Sequence, residues 1–183
     1  EYFDLLGTIT LKGRLYRKYF LYPRINNLCV GKTLDVGCGK GDFISYRKGS
    51  VGVDINPFCV DYCKKKDLEA YHCKDYNYPF ESQSFDSVLL DNVLEHLEEP
   101  NALLKEIHRV IKTSGYFVIG VPSKQGFRAY ADHKVFYDLE KLNNTLNPLG
   151  FYESKHFYAP FKFKYFEENL NAYCLYASFK KQD

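Results

Sequence analysis

The sequence predicts an α/β fold organised around one mostly parallel β-sheet. Short apolar runs alternate with amphipathic segments through the middle of the chain, which is the pattern of parallel strands joined by helices. A glycine-rich turn follows the first run and an acid ends the second, as in sheets that hold a ligand at their carboxyl edge. Two aromatic-rich runs near the C-terminus bring the predicted strands to seven.

The central elements follow from hydrophobic periodicity and from turn residues. Strands are predicted at about 32–37, 50–55, 69–73, 84–91 and 115–121, and helices at about 41–48, 57–67 and 101–112. Pro57 suits the first turn of its helix, where an N–H has no intrahelical partner. Leu103 and Ile107 lie on one apolar face of the last helix, and Ser114-Gly115 is predicted to end it.

The last third of the chain has a different character. Residues 138–147 are predicted to form a helix, because leucines recur along one side, and Pro148 and Gly150 end it. Residues 151–158 and 171–179 are predicted to be two aromatic-rich strands that close the sheet.

Residues 1–29 precede the predicted sheet. Leu11, Leu15, Tyr19 and Tyr22 recur at helical spacing with basic residues on the other faces, which predicts an amphipathic helix. Such a helix could pack on the edge of the sheet. A basic amphipathic helix is also compatible with peripheral contact to a membrane surface.

The glycine-rich turn favours a nucleoside ligand. Gly37, Gly39 and Gly41 follow the first strand in the pattern G-x-G-x-G, which lets the backbone approach a ligand closely. Asp54 ends the second strand 17 positions after Gly37, near the roughly 20 expected of an acid that binds ribose hydroxyls. The dinucleotide pattern G-x-G-x-x-G is absent, which disfavours a nicotinamide cofactor.

Three blocks of sequence resemble the class I S-adenosylmethionine-dependent methyltransferases. Residues 35–41 (DVGCGKG) are similar to that family's first motif, residues 84–97 to its fourth strand and the segment after it, and residues 103–116 to its next helix, turn and fifth strand. The blocks occur in family order and at family spacing. The resemblance implies a doubly wound sheet with helices on both faces and an antiparallel C-terminal strand.

The resemblance also implies one domain over residues 1–183. Its parts would be an N-terminal helical lid or packing segment, a core that binds S-adenosylmethionine, and a region of acceptor-site loops, a helix and the closing strand pair, at 1–29, 30–122 and 123–183 respectively.

S-adenosylmethionine is therefore the expected cofactor, with S-adenosylhomocysteine as its product. The resemblance assigns ten positions to it: Asp35, Gly37, Cys38, Gly39, Asp54, Ile55, Asp75, Tyr76, Asn92 and Val93. Asp54 would bind the ribose hydroxyls and Ile55 would pack on the adenine. Asp75 would meet the adenine amino group, although its segment is one residue shorter than the family pattern, and Tyr76 would offer a backbone N–H.

Two of the five histidines are candidate catalytic residues. His96 follows the fourth strand, close to the expected methyl centre, and a supporting or capping role is the alternative. His133 lies in the long connection after the fifth strand, where the resembled family builds its substrate site, and a solvated loop residue is the alternative. His72, His108 and His156 are expected to be structural.

The composition of the chain bears on metal binding, disulfide bonds and location. The chain has 183 residues, a formal net charge of +2 and six cysteines, none of them in a C-x-x-C pair. No further ligands accompany Cys59 and Cys63, so we expect buried free thiols, no metal and a cytoplasmic location. No signal peptide or membrane-spanning run is evident.

The expected reaction is methyl transfer to an oxygen or nitrogen atom of a small-molecule or sugar/glycan acceptor, by a monomer or homodimer. The low charge and the absence of an Asn/Asp-Pro-Pro-aromatic motif disfavour nucleic acid. An aromatic, mildly basic rim would suit a ring-bearing acceptor: Tyr16, Arg17, Tyr19, Phe127, Arg128, Tyr130, Phe161, Phe163 and Tyr165. The alternatives are a non-catalytic module that binds S-adenosylmethionine and, with less support, an NAD-dependent oxidoreductase.

Overall fold

The structure, a computed structural model, describes residues 10–163, 169–170 and 172–182. Seven strands form one sheet: β1 Thr33–Val36, β2 Val51–Asp54, β3 Ala70–His72, β4 Phe85–Asp91, β5 Ile111–Pro122, β6 Phe151–Ala159 and β7 Cys174–Lys181. Their order is β3-β2-β1-β4-β5-β7-β6. The first five strands are parallel, and β7 is antiparallel to both β5 and β6. The predicted α/β class, seven strands and antiparallel last strand are confirmed.

The sheet reverses its winding direction next to β1. The chain proceeds outward through β2 and β3 on one side of β1, and then through β4 and β5 on the other. Leu34 pairs with Val51 of β2 and with Val88 of β4, so β1 and β4 end side by side. In open α/β sheets, ligands bind beyond the carboxyl ends of the strands at such a switch point.

The helices flank this sheet. They are α1 Leu11–Tyr16, α2 Tyr22–Asn26, α3 Asp42–Tyr46, α4 Pro57–Lys64, α5 Asn101–Val110, α6 Lys124–Arg128 and α7 Leu139–Leu146, with 3-10 turns at Leu94–His96 and Asn147–Leu149. Successive strand residues face opposite sides of a sheet. Val88 and Leu90 accordingly pack in the core with α5 and α7, whereas Leu89 packs in a second core with α2 and α3.

The N-terminal helices bury only part of the predicted face. Tyr22 is 5 % exposed, as predicted, whereas Leu11 and Tyr19 are 71 % and 69 % exposed. The physical reason is that α1 buries no residue and that the buried core residues of this segment begin at Leu21 and continue to Ile25. A π-helical turn at Arg17–Leu21 lies between α1 and α2 and changes the helical repeat there. Residues 1–9 of the predicted segment lie outside the described residues.

Three other positions differ from expectation. The helix predicted over 101–112 ends at Val110, because Ile111 already pairs with Phe85 of β4. Ser114-Gly115, predicted to end that helix, lies inside an irregular stretch of β5, where Ser114 has φ +63°. The final strand begins at Cys174 rather than at residue 171, which lies outside the described residues.

Cysteine burial largely matches the prediction of buried free thiols. All six cysteines are free, and five are buried; Cys174 is partly exposed. Within the described part of the chain, no helix has the length and apolar character needed to cross a bilayer.

Candidate active site

A cavity of about 590 Å³ opens at the carboxyl ends of β1, β2 and β4, where the winding reverses. Its volume lies in the range of small-molecule sites. Residues from both sides of the switch point line it: Val36, Gly37, Val53, Asp54, Ile55, Asn56, Pro57, Phe58, Cys73, Tyr76, Tyr78, Asn92, Val93, His96, Leu97, Leu103 and Asp132. Six of the ten positions expected to bind the cofactor thus lie on one cavity wall: Gly37, Asp54, Ile55, Tyr76, Asn92 and Val93.

The turn after β1 requires glycine at its first position. Gly37 has φ +76°, a conformation that L side chains rarely adopt, and a Cβ there would lie 2.6 Å from Cγ2 of Val93. The N–H groups of Gly37 and Cys38 both donate to the carbonyl of Val53, at 2.9 and 3.1 Å. These bonds fix the turn to β2 and leave bare backbone facing the cavity.

Asp54 is held rigidly at the end of β2. One carboxylate oxygen accepts from the N–H of Gly39 and the other from the N–H of Asn56, each at 2.8 Å. The side chain is 5 % exposed and lies on the cavity wall. Since each carboxylate oxygen has a second lone pair, Asp54 retains one acceptor site per oxygen, which suits two vicinal hydroxyls.

Three predicted residues lie behind the wall rather than on it. Asp35, Cys38 and Gly39 do not line the cavity. Burial, together with the nearby carboxylates of Asp91 and Asp54, raises the pKa of Asp35 well above its ordinary value. These positions support the turn from within.

The segment after β3 forms the next part of the wall. Cys73, Tyr76 and Tyr78 line the cavity, whereas Asp75 is exposed and lies outside the lining. The N–H of Tyr78 donates to Glu106 of α5 at 2.7 Å. The role given to Asp75 in binding adenine stays a prediction. The cavity wall in this segment is formed by its neighbours Cys73, Tyr76 and Tyr78.

The end of β4 is shaped by a second unusual backbone position. Asn92 has φ +52°; its N–H donates to the carbonyl of Gly120 at 2.9 Å, and its side chain donates to Asp91 at 2.7 Å. Burial raises the pKa of Asp91, and the Arg17 guanidinium opposes that rise. The sequence placed Arg17 only on the rim; its proximity to Asp91 depends on the path of the N-terminal helices.

The two candidate catalytic histidines meet where the turn after β4 approaches the loop after β5. His96 lines the cavity, and its Nδ1 lies 3.2 Å from a carboxylate oxygen of Asp132. The rings of His96 and His133 lie 4.8 Å apart between centroids. Phe127 stacks on His133, and Tyr130 also packs against the His133 ring. These two contacts fix the position of the imidazole within the loop after β5.

Glu95 is a residue of this cluster that the sequence analysis missed. It is completely buried, and neither carboxylate oxygen has a hydrogen-bond partner among the described residues. Burial raises its pKa to about 8. The carbonyl of Glu95 accepts from the N–H groups of Lys134 and Val135, which fastens the loop that carries His133 to the turn after β4. The one sequence feature that could have identified Glu95 is its position directly before the candidate catalytic residue His96.

A family profile described as a methyltransferase domain matches residues 34–119. This range contains the glycine turn after β1, the acid at the end of β2 and the segment from β4 to His96. The match therefore covers the wall of the cavity except for its contribution from the loop after β5.

Two curated relatives match more of the chain. The chain is 28 % identical over 132 residues to the uncharacterized protein MJ1123 of Methanocaldococcus jannaschii, covering 66 % of this chain and 64 % of that one. It is 26 % identical over 166 residues to a probable S-adenosylmethionine-dependent methyltransferase of Mycolicibacterium smegmatis, covering 80 % and 65 %. The chain thus spans slightly less than two thirds of the length of these relatives.

A solved structure shows the same fold. A SAM-dependent methyltransferase from Archaeoglobus fulgidus superposes with a TM-score of 0.68 at 22 % identity, covering 91 % of this chain and 98 % of that chain. At this identity the likeness establishes the architecture, and the chemistry has to be argued from the site.

Proposed function

Because this chain belongs to the class I S-adenosylmethionine-dependent methyltransferases, we propose that it transfers a methyl group to an oxygen or nitrogen atom of a small-molecule or sugar/glycan acceptor. One observation carries the proposal: Asp54 and the Gly37 turn, here called the donor end, line the same cavity as His96 and Asp132, here called the acceptor end. A donor held at the first end would present its reactive group toward side chains able to bind an acceptor.

The residues of the first end fit S-adenosylmethionine. Gly37 presents backbone without a side chain on the cavity wall, and the carboxylate of Asp54 has acceptor capacity left for two ribose hydroxyls. Ile55 is 64 % exposed and lies on the cavity wall. An exposed apolar side chain at this position can pack against the adenine ring of the donor. We assign the methionyl portion to the backbone around Asn92 and Val93.

The donor supplies a methyl group already activated by a sulfonium, so the protein's main task is positioning. Holding two reactants in line can supply a large part of a rate enhancement. The Gly37 turn is tied to β2 by backbone hydrogen bonds, and the Asp54 carboxylate accepts from the N–H of Gly39 in that turn, which makes the donor end rigid. We propose that His96, on the cavity wall, and His133, behind it, act on the acceptor and its proton.

The acceptor is proposed to be small or of medium size and to carry a ring. Aromatic side chains surround the loop after β5: Phe127 and Tyr130 pack against His133, and Phe127 also contacts Phe136. The formal net charge of +2 is too small to attract a polyanionic acceptor such as a nucleic acid strongly. Of the rim proposed from sequence, Tyr165 lies outside the described residues.

A non-catalytic module that binds the donor is the second candidate. The finding that favours it is that part of the acceptor end, including Asp132 and His133, lies on residues 129–138, which contain no regular secondary structure. Such a module would keep the donor contacts and lack turnover.

Methyl transfer from S-adenosylmethionine labelled at the methyl carbon separates the two candidates. We expect label to reach an acceptor from a panel of phenols, amines and sugars, with release of S-adenosylhomocysteine. Asp54→Ala should abolish transfer, and the control Asp61→Ala, an exposed acid on α4, should not change it. Donor binding without release of product across the panel would support the module instead.

A further inference from the structure

Glu95, His96 and His133 form a cluster that donor binding does not require. One potential ligand atom from each residue lies within 4.8 Å of the others. Glu95 and His96 lie on the turn after β4, and His133 lies on the loop after β5. We propose that these three side chains bind one divalent transition-metal ion, with zinc as the preferred ion, at the acceptor end of the cavity.

The buried carboxylate of Glu95 is the strongest observation for an ion. It has no exposed surface, and its two oxygens have no hydrogen-bond partner within the described ranges. A buried polar group without a partner is strongly unfavourable, and buried charges in proteins are generally paired or coordinate metals. One of these oxygens faces Nε2 of His133 at 4.0 Å, so the missing partner belongs between the two.

His133 is oriented as a metal-binding histidine is. Its Nδ1 lies 2.9 Å from the carbonyl of Phe127, and a carbonyl only accepts, so Nδ1 carries the proton. Nε2 is then left with a free lone pair directed at Glu95. A hydrogen bond from the second ring nitrogen to a carbonyl is the usual way in which proteins fix the tautomer of a ligating histidine.

His96 links the cluster to the cavity. It lines the cavity, its side chain is 35 % exposed, and Asp132 lies 3.2 Å from its Nδ1. Zinc bonds of about 2.0–2.1 Å place neighbouring tetrahedral ligands roughly 3.3 Å apart. The cluster, whose ligand atoms lie up to 4.8 Å apart, must therefore contract by up to about 1.5 Å, which rotations of the partly exposed His96 and of the Glu95 carboxylate can supply.

The donor set selects among metals. Two imidazoles and one carboxylate occur in catalytic zinc sites that keep a fourth position open, and imidazole disfavours magnesium and calcium relative to zinc, iron or nickel. The expectation of no metal considered the cysteines only, and it missed this set because His133 is far from Glu95 in sequence.

An ion here would define how the acceptor is bound. This step rests on the proposed function. The fourth position would be open toward the cavity through His96. An acceptor hydroxyl on that position would lose its proton more readily, because a metal lowers the pKa of a bound hydroxyl. The histidines would then act as ligands, and no free imidazole base would be needed.

The test uses Co²⁺, which has visible absorption bands in a tetrahedral site, and Zn²⁺ as competitor. Protein freed of metal by dialysis against a chelator should bind one equivalent of Co²⁺ and release it to Zn²⁺. Zn²⁺ at about 100 times its dissociation constant should raise Tm by roughly 5–10 °C. Glu95→Gln should weaken Co²⁺ binding at least 100-fold and abolish the Zn²⁺-dependent rise.

His156→Gln is the matched control, because His156 also lies beside a carboxylate, Glu153 at 2.7 Å, but on the exposed strand β6. It should bind Co²⁺ as the wild type does. His133→Asn provides a second variant of the site, and binding of S-adenosylhomocysteine and the far-UV spectrum establish that each variant is folded. Folded variants that bind Co²⁺ like the wild type would overturn the proposal, as would a wild type that binds none. If the wild type fails to bind S-adenosylhomocysteine, that result contradicts the proposed function. The Co²⁺ titration can still be interpreted, because it does not depend on donor binding.

Discussion

The two ends of the cavity are built in different ways. The donor end consists of strand termini and backbone: the Gly37 turn is fixed to β2 by two hydrogen bonds, and Asp54 is held by two more. The acceptor end consists of side chains on a turn and on a loop, joined by the hydrogen bonds from Lys134 and Val135 to Glu95. A site made of backbone leaves a sequence pattern, whereas one made of side chains from distant loops leaves almost none.

The largest effect is expected from Gly37→Ala, which tests whether the donor end depends on its backbone. A left-handed conformation costs an L residue about 1–2 kcal/mol, and the new Cβ would also collide with Val93. Donor affinity should fall on the order of 10³-fold, measured by calorimetry with S-adenosylhomocysteine.

Gly49→Ala is the control for backbone strain alone. Gly49 has φ +83°, but no atom lies within 4 Å of its missing Cβ. This variant should lose a similar 1–2 kcal/mol of stability and keep its donor affinity. Equal loss of affinity in both variants would show that the close approach to Val93 is unimportant.

The next effect concerns the N-terminal helices, where only part of the predicted face is buried. Ile25→Ala should lower the free energy of unfolding by about 2–4 kcal/mol, because Ile25 is fully buried. Leu15→Ala, at a half-exposed position of the predicted face, should change it by less than about 0.5 kcal/mol. Urea unfolding measures both, and the reverse ranking would contradict the burial of α2 in the second core.

The smallest effect concerns the wall after β3. The hydrogen bond from Arg109 lowers the pKa of Glu106, and Glu106 in turn holds the N–H of Tyr78. Glu106→Gln should cost about 1–2 kcal/mol at pH 7. A carboxyl whose pKa is depressed on folding contributes stability above its unfolded pKa of about 4.3 and loses it as pH falls through the folded value. The difference in Tm between wild type and variant should therefore shrink below about pH 4.

The sequence could predict the strands, the glycine turn and Asp54, since each follows from local periodicity, a special φ or fixed spacing. It failed where a distant contact decides the outcome. The π-helical turn at Arg17–Leu21 interrupts the helical period, and Ile111 joins β5 because it meets Phe85. Glu95 gains its significance from burial and from a histidine on another loop, neither of which a sequence pattern records.

The most direct test of the central claim, that Asp54 and the Gly37 turn form a donor site, is a calorimetric titration of wild type and Asp54→Ala with S-adenosylmethionine. We expect one site of micromolar affinity in the wild type. Each hydrogen bond to a charged group is worth about 1.5–3 kcal/mol, so Asp54→Ala should bind at least 30-fold more weakly. Absence of binding to the wild type, or equal binding to both proteins, would contradict the assignment of this cavity.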